Sequence, residues 1–83
     1  MENTQTRNDI ITAALDGRKQ EVLGYQINID NYTRALEKIS LLSADDRAEL
    51  SGFTEQLRTL LTSEKLEQKK AKIMLEVLQE QVE

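Results

Sequence analysis

From Ile11 to Ile39 the chain repeats one spacing, with steps of four and three residues alternating through Ile11, Leu15, Arg18, Val22, Tyr25, Ile29, Tyr32, Leu36 and Ile39. Only Arg18 breaks the apolar character of this series. Such a repeat keeps one seam of a helix turned towards a neighbouring helix. With Leu15, Val22, Ile29 and Leu36 labelled a, the d positions are Ile11, Arg18, Tyr25, Tyr32 and Ile39. The pattern predicts a helix over about 9–40, capped by Thr6 or Asn8, with residues 1–8 as a flexible polar start. Gly17 and Gly24 fall inside it at about 1 kcal/mol each relative to Ala. The seam keeps its phase across both, so a continuous helix is expected rather than a break at Gly17.

A turn at about 41–43 follows. Ser43-Ala44-Asp45-Asp46 reads as a helix start, with Ser43 as cap and two acids at the positive end of the helix dipole. Beyond it Leu50, Leu57, Glu64, Ala71 and Leu78 recur every seven residues. Phe53, Leu60 and Met74 take the d positions, and Leu61, Leu75 and Val82 the e positions. This predicts a second helix over about 44–82 with a wide apolar face. A connection so short folds the two helices into an antiparallel hairpin. The expected fold is therefore all-α: one coiled-coil-like αα-hairpin domain over 9–83, dimerising into a four-helix bundle.

A bend centred on residue 43 places Arg18 opposite residue 68. The polar interruption of the second helix, Glu64, Glu67 and Gln68, falls at that same level. These four residues are the expected register-setting polar layer, with Arg18 paired to Glu64 or Glu67; such layers specify pairing more than they stabilise it. The same bend would put the two tyrosines opposite Thr54 and Leu61.

Composition removes most chemistry. The 83 residues include no Cys, His or Pro and only three aromatics. Disulfides, thiolate or imidazole metal sites, and His-based catalysis are excluded. No phosphate-binding glycine loop and no nucleophile elbow occurs. The acid pairs Asp45/Asp46 and Glu64/Glu67 read as cap and polar layer, because a two-helix hairpin offers no water-poor cleft to drive their pKa values apart. No catalytic residue, metal or cofactor is assigned, and the expectation is a protein that is not an enzyme.

The net charge of −4 argues against nucleic acid as the principal partner, which a concentrated basic surface would announce. The single basic cluster, Lys65, Lys69, Lys70 and Lys72, is interleaved with Glu67 and lacks aromatics for base stacking. There is no basic n-region, no secretory h-region and no spanning segment, so the reading is cytoplasmic with no membrane partner.

Apolar residues exceed what one hairpin hides. Leu23 and Ile27 lie off the seam, and the stretches Ile10–Leu15 and Ile73–Leu78 are apolar almost all round. Ile10, Ala14, Leu23, Ile27, Ile73, Met74 and Val77 are the expected interface, for a second copy or for another protein whose identity the sequence does not give. The function read from this is a protein–protein interaction module acting as adaptor, assembly factor or inhibitor. The alternatives are a small assembly chaperone for a client protein, and a nucleic-acid-associated regulator using segment 65–72.

Overall fold

A computed structural model describes residues 2–82, and among them the chain is helical with no strand. Helix α1 spans Glu2–Ser40 and α3 spans Ser51–Gln79, joined by a turn and the single-turn helix α2, Ala44–Glu49. The rod measures 68 × 14 × 14 Å. Its radius of gyration, 19.1 Å, compares with about 12 Å for a compact domain of this length. The two long helices pack on one another along their length, and α2 adds little.

Helix α1 starts at Glu2, before the expected cap at Thr6 or Asn8, and runs unbroken through Gly17 and Gly24. Its end closes tightly. The N–H groups of Leu41 and Leu42 donate to the carbonyls of Lys38 and Ile39 at 3.2 and 3.0 Å. These bonds span three residues instead of four, which satisfies carbonyls that the helix end would otherwise orphan.

The restart follows the expected chemistry. Ser43 is extended, and its hydroxyl oxygen accepts the backbone N–H of Asp46 at 3.2 Å. Asp45 and Asp46 occupy the first turn.

The expected single helix over 44–82 is divided at Leu50, whose φ of −95° and ψ of 10° leave the helical basin. Ser51 and Gly52, both poor helix formers, come next. The Leu50 carbonyl accepts both the backbone N–H and the hydroxyl of Thr54, at 2.8 and 3.0 Å, which starts α3 without a side-chain cap.

The seam of α1 is the expected one. Ile11, Ile29 and Ile39 are buried, and the tyrosines are half-buried. In α3 the seam is rotated. Leu50, Thr54, Leu57, Leu61, Glu64, Gln68, Ala71, Leu75 and Leu78 are buried or half-buried, again at alternating steps of four and three. The expected d positions Phe53, Leu60 and Met74 are exposed instead. The physical reason lies at the polar level: this rotation buries the neutral amide of Gln68 where the a/d seam would have buried the Glu67 carboxylate, and desolvating a charge costs far more.

Ser43→Ala removes the cap of α2 and should lower stability by about 1 kcal/mol, measured by urea unfolding. Thr62→Ala, on the exposed side of α3, should change it by less than about 0.5 kcal/mol.

Candidate functional site

The polar level of the hairpin holds two hydrogen bonds between side chains of opposite helices. Gln68 Nε2 donates to Gln26 Oε1 at 2.8 Å and to the Val22 carbonyl at 3.3 Å. Asn28 Nδ2 donates to Glu64 Oε2 at 3.1 Å. A second helix carries polar residues into a mostly apolar seam here, and each has a partner.

The expected pairing is corrected. Arg18 forms its ion pair within α1, with Glu21 at 3.1 Å, and Glu67 is bound by Lys70 at 3.0 Å. Among the described residues no ion pair crosses between the helices. The cause is register. Residues 45, 46 and 47 lie midway between Val22 and Gln68, Asn28 and Glu64, and Gln26 and Gln68 respectively. The fold therefore mirrors about residue 46, not 43, because the six residues of α2 lengthen the connection. Arg18 then stands near the level of Met74. Tyr25 comes to the level of Glu67 instead of Leu61, and Tyr32 to that of Leu60 instead of Thr54.

Tyr25 sits among the acids. Its phenol is held above the ordinary value of 10.0 by desolvation first, then by the carboxylates of Glu21, Glu67 and Glu64, with Arg18 opposing.

These bonds also tell the two edges of the hairpin apart. Asn28 reaches Glu64, so the α1 edge bearing Asn28 borders the α3 edge bearing Glu64 and Glu67. Seven-residue steps from Asn28 give Ala14, Glu21 and Ala35, with Ile10, Gly17 and Gly24 one row further out. Seven-residue steps from Glu67 give Phe53, Leu60 and Met74, with Val77 beyond. Phe53, Leu60, Met74, Val77 and Ile10 are all more than a third exposed. Arg7, Glu21, Lys38, Glu67 and Lys70 are the charges on these rows, and Glu21, Glu67 and Lys70 are paired within the chain.

The Gln26–Gln68 edge is different. Heptad steps place Lys19, Asp16 and Asp30 beside Arg58, Lys65, Lys69 and Lys72 there, together with Glu37, Glu55 and Glu76. With Asp9 in the row of Asp16, five bases and six acids nearly balance, and Leu23 is the lone large apolar residue among them.

Of the expected interface residues, Ile10, Ala14, Met74 and Val77 share the first face. Leu23 stands on the charged edge, and Ile27 and Ile73 point from the backs of α1 and α3. Phe53 and Leu60 were assigned to the seam by their d spacing, which hid their place on this face. The signal that would have found them is the alternation of Thr54, Leu61, Gln68 and Leu75, a continuous competing seam one residue further on.

At the open end the Asn8 side-chain oxygen is buried without a hydrogen-bond partner among the described residues. Beside the turn, a groove of about 380 Å³ is lined by Leu36, Ile39, Arg47, Thr54, Glu55 and Arg58. Among the described residues no group of three acids gathers as a metal site, and no helix is long and apolar enough to cross a membrane. Compared with known proteins, the chain matches no family model, no curated sequence and no solved structure.

The raised Tyr25 pKa has a signed consequence. The folded state holds the phenolic proton more tightly than the unfolded chain does, so this contribution to stability is intact below pH 10.0 and is lost as pH rises through the folded value. Glu21→Gln removes the carboxylate that raises it most and should bring the Tyr25 titration down towards 10.0, read from tyrosinate absorbance in a Tyr32→Phe background. Gln68→Leu should keep or raise stability while loosening register, because an apolar isostere needs no partner whereas Gln26 loses one. Paired spin labels on α1 and α3 should then report a broadened distance distribution.

Proposed function

We propose that this protein is a non-enzymatic protein–protein interaction module that works by self-association and by presenting an apolar helix face. The observation that carries this is surplus surface. The chain exposes 6336 Å², whereas a compact monomer of 9.5 kDa exposes about 5,050 Å². Among the described residues twelve large apolar side chains are more than a third exposed, against five buried apolar residues. A two-helix rod cannot hide them by any internal rearrangement that keeps its seam.

A two-fold homodimer forming a four-helix bundle is the closed arrangement that covers such a surface with few new elements. Four or five large side chains buried by it would each contribute roughly 1.5–3 kcal/mol, enough after association costs for a micromolar or tighter complex. An adaptor, assembly factor or inhibitor would use the same apolar surface, so a foreign partner competes with the second copy. The balanced charge of the edge that carries Lys65, Lys69 and Lys72 weighs against a phosphate-binding role.

Light scattering at low micromolar concentration should return about twice 9.5 kDa. The mass should persist at about 1 M salt, because apolar burial is not screened as ion pairs are. A well-folded monomer under these conditions would overturn self-association.

A further inference from the structure

Resting on the self-association reading, we infer that the Asn28–Glu64 face is the surface that receives a second copy of this chain, with the two charged edges turned outward to water. Three observations select the face and the occupant.

The first is asymmetry between the two faces of the rod. One carries Ile10, Phe53, Leu60, Met74 and Val77 with five charged residues, Arg7, Glu21, Lys38, Glu67 and Lys70; the other carries eleven charged residues and Leu23. Burying the second would desolvate those charges, whereas burying the first removes apolar surface from water.

The second is area. The rod exposes about 1,300 Å² beyond a compact chain of its mass, and a stable pairwise contact takes roughly 800 Å² from each partner. One face of a rod 68 Å long and 14 Å wide can supply that much, so a single further copy suffices.

The third is self-compatibility. In a two-fold pair the same patch meets itself, so a patch with unpaired charge would oppose its own copy. Here Arg18 already holds Glu21 and Lys70 holds Glu67, and Asn28 gives the Glu64 carboxylate a hydrogen-bond donor. Among the described residues, the charges left without an ion pair on the paired part of the face, Glu64 and Lys38, are of opposite sign. The apolar groups lie towards the two ends of the face and this polar girdle lies between them. Along α1 the face is also low: a Cβ placed on Gly17 or Gly24 would meet nothing within 4 Å in the chain. Another helix can therefore approach the α1 backbone closely there.

The absence of native cysteine makes the test direct. Ala14→Cys and, separately, Lys65→Cys are oxidised at low micromolar concentration and compared with the mass measured by light scattering under reducing conditions. The inference expects a reduced dimer in both, with a disulfide-linked or short-crosslinker-linked dimer from Ala14→Cys and none from Lys65→Cys. A dimer that links through Lys65→Cys and not through Ala14→Cys overturns the face and leaves self-association standing. A monomer in both overturns both.

Independently, Leu60→Glu with Met74→Glu should raise the dissociation constant at least about a hundredfold, whereas Ile27→Glu on the back of α1 should leave it within about threefold. Should the double variant lose helicity, Gly24→Gln answers the same question, because it improves helix propensity in the protomer while raising a side chain on the face. It should stay fully helical and weaken dimerisation at least about tenfold; undiminished dimerisation would remove α1 from the interface and overturn the inference.

Discussion

A pair of helices can hide one stripe of each from water, and everything else in this molecule is organised by that limit. With Ile11, Ile29, Ile39, Leu57 and Ala71 the buried apolar residues among those described, the hydrophobic contribution to folding is thin for 83 residues. The chain carries enough further apolar groups to make a larger core, but not within reach of one another. Burial that a larger domain would complete internally is left incomplete in the single chain.

The polar girdle fits the same logic. A fully apolar two-helix seam could slide by one heptad with little loss, since leucine meets leucine again after seven residues. Gln68 bound to Gln26 and to the Val22 carbonyl, and Glu64 bound by Asn28, would each lose a partner on such a slide. Specific pairing is thus imposed by neutral amides and one carboxylate, without a buried ion pair and its desolvation cost.

Much of the architecture was legible in the sequence. The seam of α1, the continuity through Gly17 and Gly24, the Ser43 cap and the antiparallel return all follow from spacing and end chemistry. What spacing could not give was the phase of α3. Leu57 and Ala71 belong to both of its candidate seams, and the choice turns on whether Glu67 or Gln68 is desolvated. The Leu50 break added a second uncertainty of about one turn, enough to move Arg18 away from the acids assigned to it. Both errors are local, yet both relocate the apolar face, because a helix rotated by one position exchanges its flank for its seam. The surplus of apolar surface was visible from composition and periodicity; its concentration on one face became visible only once Asn28 and Gln26 had each identified their partners across the seam.

The hairpin also has a mechanical character. Leu41, Leu42 and Ser43 form one tip; beyond them the helices are paired over the 29 residues of α3, about 43 Å, and α1 runs on past the end of α3 to complete the 68 Å rod. The start of α1 and the turn are therefore held a molecule's length apart, with the end of α3 between them. A rod of this kind works as a ruler: its stiffness comes from two helices restraining one another, so the span is fixed by residue count and not by tension in a linker. Lengthening α1 and α3 together by one heptad would extend that span by about 10 Å while returning every side chain to the same face.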